Sequence, residues 1–274
     1  MELKFVTATS RSAVVELTES GKFYTELQYD IYVNGEKYME SNKVITSLFD
    51  LKPDTDYNVY AVYNGQKTNE VNIHTKYEFV TLNVKEFGAF GDGVHDDTNA
   101  IQCAIMACPK DSRVLVPEGE YKVSSVFLKS DLTLELAKGA VLSAFTERDK
   151  FPILPGVIES YDEKEEYNLG SWEGNPLDCF SAILCGINAE NVVITGEGTI
   201  DGNTTFENWW NNCKIRNTAW RPRLFFINHC NNVMMHGITV QNSPSWTIHP
   251  YFSNHLKFID VKIKNPANSH NTDG

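Results

Sequence analysis

The fold is decided by the stretch Asn232-Val-Met-Met-His-Gly-Ile-Thr-Val-Gln-Asn242, which returns 23 residues later as His255-Leu-Lys-Phe-Ile-Asp-Val-Lys-Ile-Lys-Asn265. Its first half also occurs 41 residues earlier, as Asn191-Val-Val-Ile-Thr-Gly196, a distance close to two such units. A repeat of about 20 residues made of short strands without helices is typical of a parallel β-helix, in which each coil stacks on the next. A leucine-rich repeat has a similar period, but these units do not keep its LxxLxLxxN pattern.

Short apolar strands between Gly and Asn turns continue along most of the chain. They include Arg113–Val116, Leu132–Leu136, Val192–Thr195, Leu224–Ile227 and Leu256–Ile259. No second helix separates them, which disfavours a βαβ winding. Between residues 146 and 178, prolines, glycines and the acidic run Asp162–Glu166 interrupt this pattern. We interpret that segment as a long excursion from one coil, either functional or a solvated surface loop.

One helix is predicted before the coils begin. Its apolar stripe consists of Ala100, Ile101, Ala104, Ile105 and Cys108. Asp97 is the expected N-cap, and Pro109 ends the helix. We expect this helix to cover the open end of the β-helix, which would otherwise expose strand edges and core. The aspartates in the preceding turn lack the EF-hand spacing, so we predict no metal site there.

Residues 1–76 have a different pattern, in which apolar and polar residues alternate at period two between turn dipeptides such as Asn34-Gly35. This predicts a β-sandwich. Leu51-Lys-Pro-Asp-Thr-Asp-Tyr57 resembles the LxPxTxY corner of fibronectin type III domains, where the tyrosine hydroxyl bonds back to the backbone. An unrelated sandwich with a Pro-Asp turn is the alternative. We assign such a module a spacer or partner-docking role, and residues 77–83 are the expected connection to the β-helix.

Composition narrows the function classes. The net charge is −12 and hydrophobic residues make up 42% of the chain, which describes a globular protein without the basic surface that nucleic acids require. The six cysteines have no CxxC spacing, so we expect buried thiols, with disulfides as the alternative, and no zinc. We find no signal peptide and no run of residues that would span a membrane. We therefore expect a cytoplasmic location, or a secreted or periplasmic one if a signal has been removed.

Several motifs carry a second resemblance. Phe87–Thr98 resembles the opening of pectinase-type β-helix proteins. The polygalacturonase family of glycoside hydrolases, family 28, has motifs similar to Gly196–Gly202 with Trp209-Trp210, Arg221-Pro-Arg-Leu224, Gln241–Pro250, Asn265-Pro266 and Asn271-Thr-Asp-Gly274. The resemblance implies that residues 84–274 are the N-terminal part of a right-handed parallel β-helix catalytic domain. It further implies inverting hydrolysis of α-1,4-galacturonosyl bonds in an acidic pectic polysaccharide or oligogalacturonide, with no cofactor or metal.

The resemblance also assigns catalytic roles to two residues. Asp273 would be one of the carboxylates that activate water, and Asn271 would orient substrate or carboxylates. Inversion requires acid and base carboxyls roughly 6.5–9.5 Å apart, which leaves room for the water. The family's remaining motifs would follow Asp273, so the general acid is not assigned. We therefore expect a truncated chain that is inactive as a hydrolase on its own and has an unfinished, aggregation-prone β-helix end.

Two histidines are candidates for substrate binding. The 23-residue register places His249 one coil below Asn271–Asp273, within about two residues. His249 is therefore an expected hydrogen-bond or cationic partner of a substrate carboxylate, or else a turn histidine held by Pro250. His270 is a candidate member of a basic patch.

Arginine and tryptophan provide the other candidates. Arg221 and Arg223 suit bidentate binding of a uronic acid carboxylate, with surface salt bridges as the alternative. Lys214 and Arg216 are possible additions to the patch. Trp246, like Trp209 and Trp210, is either a sugar platform or a packing residue, whereas Asp201 in its Gly-flanked turn is expected to be structural.

Three alternatives to a polygalacturonase stay open at this point. A hydrolase of rhamnogalacturonan or of a substituted pectin would share the fold and differ in its pocket loops. A non-catalytic carbohydrate-binding or adhesive β-helix would use the sandwich for docking. A lyase is disfavoured because we find no clustered calcium-binding carboxylates. Exo action is inferred from the 146–178 excursion, which would close one end of a cleft.

Overall fold

The computed structural model describes residues 1–18, 23–157 and 168–274, and the chain divides into the units Met1–Phe79 and Val80–Gly274. The division lies within residues 77–83, the expected connection. The acidic run Asp162–Glu166 falls outside the described residues. Across the described ranges, no helix combines the length and apolar character needed to cross a membrane.

The first unit is a β-sandwich. Its strands are β1 (Leu3–Ala8), β2 (Ala13–Leu17), β3 (Tyr24–Val33), β4 (Glu36–Lys43), β5 (Ile45–Leu48), β6 (Asp56–Tyr63), β7 (Gln66–Lys67) and β8 (Val71–His74). They form two antiparallel sheets, one in the order β1-β2-β5 and one in the order β4-β3-β6, with β7 and β8 both paired to β6. Leu17 and Leu48 of the first sheet share one buried core with Ile31 and Val59 of the second, which confirms the predicted sandwich.

The corner before β6 has the bond that the LxPxTxY motif predicts. The Tyr57 hydroxyl accepts a hydrogen bond of 2.7 Å from the backbone N–H of Lys52. Leu51 is buried in the sandwich core beside it. The bond fixes the chain as it enters β6, whereas kinship with fibronectin type III domains stays a resemblance.

The second unit contains the remaining strands and the helices. The strands are β9 (Thr81–Asn83), β10 (Asp92–Asp96), β11 (Arg113–Val116), β12 (Gly119–Val123), β13 (Val126–Leu128), β14 (Leu132–Leu136), β15 (Ala140–Ala144), β16 (Ile153–Leu154), β17 (Cys179–Phe180), β18 (Leu184–Ile187), β19 (Glu190–Gly196), β20 (Thr199–Asp201), β21 (Phe225–Asn228), β22 (Asn231–His236), β23 (Thr239–Gln241), β24 (Ile248–Tyr251), β25 (Asn254–Ile259) and β26 (Lys262–Lys264). The helices are α1 (Thr98–Ala107) and 3-10 turns at Val84–Phe87 and Arg148–Lys150.

Three parallel sheets wind these strands into coils. The first sheet stacks β9, β11, β14, β19, β22 and β25; the second stacks β10, β12, β15, β20, β23 and β26; the third stacks β13, β18, β21 and β24. In the first sheet, Val192 pairs with Val233 and Val233 with Leu256, which are the predicted offsets of 41 and 23 residues. The right-handed parallel β-helix is confirmed.

Equivalent positions of successive coils form ladders inside and outside the solenoid. Leu134, Ile194 and Met235 follow one another in register and are fully buried. At the turn into the first sheet, Asn191 donates from its amide to Asp131 (2.9 Å), and Asn232 donates to Asn191 (2.9 Å). Residues at this turn adopt a left-handed backbone, with φ near 55°, which asparagine and aspartate tolerate better than most residues. This explains why asparagines recur there.

Helix α1 packs on the first coils, as predicted for a cap. Ile101, Ala104 and Ile105 are fully buried in the β-helix core. The prediction that the Asp97 side chain caps α1 is wrong. Its carboxylate instead accepts hydrogen bonds from the backbone N–H groups of Phe90 (2.6 Å) and Gly91 (3.0 Å). Asp97 therefore fixes the glycine-rich turn before the helix.

The cysteines occur as free thiols. Cys108, Cys179, Cys185, Cys213 and Cys230 are buried, whereas Cys103 on α1 is exposed. The expectation of buried thiols therefore fits every cysteine except Cys103.

The connections from the second sheet to the third sheet all leave the solenoid along one edge, which we call the loop corner. After the two-residue turn 124–125, they span residues 145–183, 202–224 and 242–247, and residues 265–274 follow β26 at the same place. The 145–183 connection includes the predicted excursion 146–178, and its described part contains the antiparallel pair β16 and β17, of which β17 lies just beyond the predicted bounds. The sequence motifs Arg221–Leu224, Ser243–Thr247 and Asn271–Gly274 thus meet at the loop corner.

Candidate active site

Arg221 anchors the Asn271-Thr272-Asp273 segment at the loop corner. Its guanidinium is buried and donates hydrogen bonds to the carbonyls of Pro244 (2.6 Å) and His270 (3.0 Å) and to Oδ1 of Asn271 (2.8 Å). Burial lowers the pKa of Arg221 to about 10, so the group is still charged at neutral pH. Because the Asn271 amide oxygen is committed to Arg221, its amide N–H groups are what the exposed residue presents to a ligand.

Two further side chains hold the same segment, Thr247 from the coil below and Asn265 from the residues that directly follow β26. The Thr247 hydroxyl donates to the carbonyl of Thr272 (2.9 Å), and the Asn265 amide donates to the Thr247 hydroxyl (2.9 Å). The backbone N–H of Thr247 donates to the carbonyl of Asp273 (2.7 Å). Asp273 itself is exposed to solvent, so a held backbone presents its carboxylate at the surface.

The register at the loop corner differs from the expected one. Phe225 pairs with Ile248, and its N–H donates to the carbonyl of Thr247. The Thr247 N–H donates to the carbonyl of Asp273 in the same manner, which places Thr247 opposite Gly274, 27 residues onward. The expected 23-residue register is therefore wrong by four residues here, because this connection is longer than the preceding one. Trp246 therefore lies opposite Asp273 and Ser245 opposite Thr272, the position that the 23-residue offset gives to His249.

Arg223 is buried like Arg221, so the surface salt bridges considered for both arginines are wrong. Its guanidinium donates to the carbonyls of Ser171 and Arg221 and to Sγ of Cys179. It also lies 4.7 Å from the ring centre of Trp172 and 5.3 Å from that of Trp246. The geometry shows a scaffold role for both arginines, and direct binding of a uronic acid carboxylate stays a prediction.

His249 lies in an aromatic pocket rather than in a basic one. Its ring is 4.7 Å from Trp246, 5.2 Å from Phe226 and 5.9 Å from Tyr251. Burial, and secondarily the positive charge of Arg223, lowers the pKa of His249 to about 4. The imidazole is neutral at neutral pH, so the predicted cationic role is not supported. Its hydrogen-bonding role stays a prediction.

The other sequence candidates take different places. His270 is half-buried, and its ring contacts that of Phe206 at 5.6 Å. Trp209 and Trp210 are buried, which supports packing roles, whereas Trp246 is half-buried. Asp201 accepts from the amides of Gln241 (2.6 Å) and Asn242 (2.9 Å), which agrees with a structural role.

Sequence reasoning missed the residues that position the segment. Thr247 and Asn265 lie within the recognised motifs without a role of their own, and Trp172 lies outside every motif. The position of Thr247 and Asn265 near Pro244, Pro250 and Pro266 was a usable signal, since prolines mark the turns where coils stack. The contacts of Arg221 join residues about 50 positions apart, and no local pattern contains them.

The family model of glycosyl hydrolases family 28 matches residues 110–274, which include the whole loop corner. The chain belongs to glycosyl hydrolases family 28. The family 28 match includes Asn271 and Asp273, whose catalytic roles stay predictions.

Named relatives and a solved structure agree with this assignment. The chain is 31% identical over 198 residues to a "Probable polygalacturonase" of Vitis vinifera, covering 69% of this chain and 38% of the relative. It is 36% identical over 165 residues to the "Exo-poly-alpha-D-galacturonosidase" of Dickeya chrysanthemi, covering 56% of this chain and 25% of the relative. The family 28 exopolygalacturonase structure of Yersinia enterocolitica superposes with a TM-score of 0.72 at 20% identity, covering 100% of this chain and 60% of that one. The chain thus spans less than two fifths of these two relatives, and the structural likeness shows the fold.

Proposed function

We propose that the protein carrying this chain is a polygalacturonase, which hydrolyses α-1,4 bonds between galacturonic acid residues of pectic polymers. The observation that carries the proposal is the exposed Asp273, presented by a segment that Arg221, Thr247 and Asn265 hold by hydrogen bonds. Family 28 membership and the names of the relatives supply the substrate class.

In the proposed reaction, Asp273 acts as one carboxylate of a pair. An inverting hydrolase needs a base that activates water on one face of the sugar and an acid that protonates the leaving oxygen on the other, roughly 6.5–9.5 Å apart. The surface position of Asp273 suits the base side, where water must reach the carboxylate. The amide N–H groups of Asn271 would donate to a substrate hydroxyl or carboxylate at its side.

The test is Asp273→Asn in the protein expressed from its complete reading frame, with reducing-sugar release from polygalacturonate as the readout. Loss of general base catalysis should lower kcat by about a hundredfold or more. The matched control is Asp111→Asn, which changes an exposed aspartate whose left-handed backbone asparagine also tolerates. A variant at position 273 with the activity of the control would contradict the assignment.

We further propose that the enzyme acts from chain ends. The described part of the 145–183 excursion lies against the loop corner, since Trp172 stacks on Trp220 (4.7 Å) and lies over both Arg221 and Arg223. A segment packed there would wall off the cleft beyond the terminal sugar. The "Exo-poly-alpha-D-galacturonosidase" relative supports the same mode.

Viscosity distinguishes the two modes of action. An exo-acting enzyme releases reducing sugar from long polygalacturonate while viscosity falls slowly, because each cut removes only a terminal unit. A rapid fall in viscosity at little sugar release would show endo action. Parallel assays on rhamnogalacturonan test the alternative substrate. If the protein is a rhamnogalacturonan hydrolase, reducing sugar is released faster from that polymer than from polygalacturonate.

A further inference from the structure

A groove of about 550 Å³ lies between the first two excursions of the loop corner. Its lining combines Arg148 from the first excursion with part of the second, including Glu207, Asn211, Asn212, Arg216 and Asn217. The described lining carries the guanidinium groups of Arg148 and Arg216 and the carboxylate of Glu207. Because Arg216 is paired with Asp178, Arg148 is the cation of that described lining left to bind a carboxylate ligand.

Arg148 is held by ring stacking, and its guanidinium donates no hydrogen bond to any residue that the structure describes. Its guanidinium lies 4.5 Å from the ring centre of Trp209, which is buried between the rings of Phe151 (5.6 Å) and Phe180 (5.5 Å). Stacking engages the face of a guanidinium and leaves its N–H groups free in the plane. Among residues 1–18, 23–157 and 168–274, no carboxylate pairs with Arg148. Burial lowers its pKa, so a carboxylate ligand would relieve an uncompensated charge.

The amides opposite Arg148 are also uncommitted. The side chains of Asn211, Asn212 and Asn217 make no hydrogen bond to any other described residue. Arg216 differs from Arg148, because it is already paired with Asp178 at 2.9 Å. A primary amide carries two donors and an acceptor, which matches the mixed character of sugar hydroxyls.

We propose that this groove binds a uronic acid residue of an oligosaccharide, with its carboxylate on Arg148 and its hydroxyls on the three amides. The identity of the sugar rests on the proposed function, whereas the site for a carboxylated sugar rests on the groove. Its wall adjoins the Asn271 segment, since Phe206, next to Glu207, contacts the rings of His270 (5.6 Å) and Trp210 (5.2 Å). A pectic chain bound at Asp273 would extend into the groove.

Calorimetric titration with trigalacturonate tests the groove. The full chain is used with Asp273→Asn as the background, so that binding is measured without turnover. Adding Arg148→Gln should weaken affinity about tenfold, since a charge-assisted carboxylate contact is lost. The matched control is Lys138→Gln, which removes the same charge from an exposed turn outside the groove and should leave affinity unchanged. Fully methyl-esterified trigalacturonate should bind equally to the background protein and to the Arg148→Gln variant.

A second variant guards against a folding defect, since Arg148 packs on Trp209. Asn217→Asp introduces a carboxylate into the groove at an exposed position and leaves that stack unchanged. It should weaken trigalacturonate binding severalfold at low ionic strength and less at high ionic strength, because salt screens the repulsion. If Arg148→Gln and Asn217→Asp both bind like Lys138→Gln, the proposal is overturned.

Two outcomes separate this inference from the proposed function. Arg148-dependent binding of trigalacturonate by a protein that does not hydrolyse polygalacturonate would support the groove and contradict the hydrolase. The opposite result is hydrolysis that is lost in Asp273→Asn, with a trigalacturonate affinity that does not change in Arg148→Gln or Asn217→Asp. It would support the hydrolase and contradict the groove. Inorganic phosphate that displaces trigalacturonate at comparable concentration would show a general anion site and overturn the sugar assignment.

Discussion

At the scale of single residues, the loop corner shows how a buried charge can organise an exposed site. Arg221 is enclosed by the protein, and its guanidinium bonds two carbonyls and an amide oxygen. The planar guanidinium fork satisfies partners from two consecutive coils at once, which lysine cannot do with a single nitrogen. Position 221 therefore fixes the geometry of Asn271.

We predict that Arg221→Lys, in the protein expressed from its complete reading frame, lowers kcat on polygalacturonate by about tenfold or more and changes KM little. Misplacement of a catalytic segment by 1 Å can cost about a hundredfold in rate. The control is Arg113→Lys, which alters another buried arginine, bonded to Glu135 (2.7 Å), away from the loop corner. We expect Arg221→Lys and Arg113→Lys to lose similar stability, whereas kcat falls only in Arg221→Lys. An equal kcat for both variants would assign Arg221 a merely structural role.

We predict that one buried histidine, His236, makes the folding stability of the protein sensitive to acid. Burial lowers the pKa of His236 to about 4, and this histidine is 1% exposed. Because the unfolded chain binds the proton near pH 6.5, stability is complete above that value and falls as the pH approaches 4. The loss amounts to roughly 3 kcal/mol at most.

Urea unfolding between pH 7 and pH 4 checks this prediction. The His236→Asn variant should show a shallower dependence of the unfolding free energy on pH. His255→Asn, which removes an exposed imidazole at a left-handed position, should retain the parental dependence. If all three proteins have parallel pH profiles, His236 does not cause the acid sensitivity.

At the scale of secondary structure elements, the coils stack so closely that certain turns have no room for a side chain. Gly196 ends β19 with φ of 111°, and a Cβ added there would lie 2.1 Å from the carbonyl oxygen of Leu136 on the coil below. We predict that Gly196→Ala destabilises the β-helix by more than about 3 kcal/mol, since backbone must move.

The control for this steric cost is Gly174→Ala. Gly174 also has a left-handed backbone, with φ of 80°, but a Cβ added there would have nothing within 4 Å. Its substitution should cost about 1–2 kcal/mol from backbone strain alone. Chemical denaturation of both variants measures the difference, and equal costs would show that coil spacing adjusts freely.

The same elements show what the sequence could predict. The pairing of β22 with β25 follows from the repeat, because inward positions must be apolar in every coil. The register at the loop corner does not, since no packing constraint fixes the length of a connection that leaves the solenoid. The burial of Arg221 and Arg223 could not be predicted from the sequence either, because arginine is exposed in most proteins and the partners of these two are distant in sequence. Asp97 occupies the predicted N-cap position, but its carboxylate accepts from two backbone donors of the preceding turn and not from the helix.

At the scale of the whole molecule, the chain has two separate cores, one in each unit. We predict two calorimetric transitions, of which Tyr57→Phe lowers only that of the sandwich, by about 1 kcal/mol for one lost hydrogen bond. Tyr24→Phe, at an exposed tyrosine of the same unit, should leave both transitions in place. A single transition shifted by Tyr57→Phe would instead show that the units unfold together.

The loop corner has a consequence for how such a protein diversifies. Connections of very different length, from residues 242–247 to residues 145–183, depart from and rejoin the solenoid at one edge without disturbing the pairing of the sheets. Insertions and deletions there change the length of loops outside the stacked coils and leave the coils themselves unchanged. New loops grafted at this edge would change the surface around Asp273, while the stacked coils keep the backbone of that residue in place.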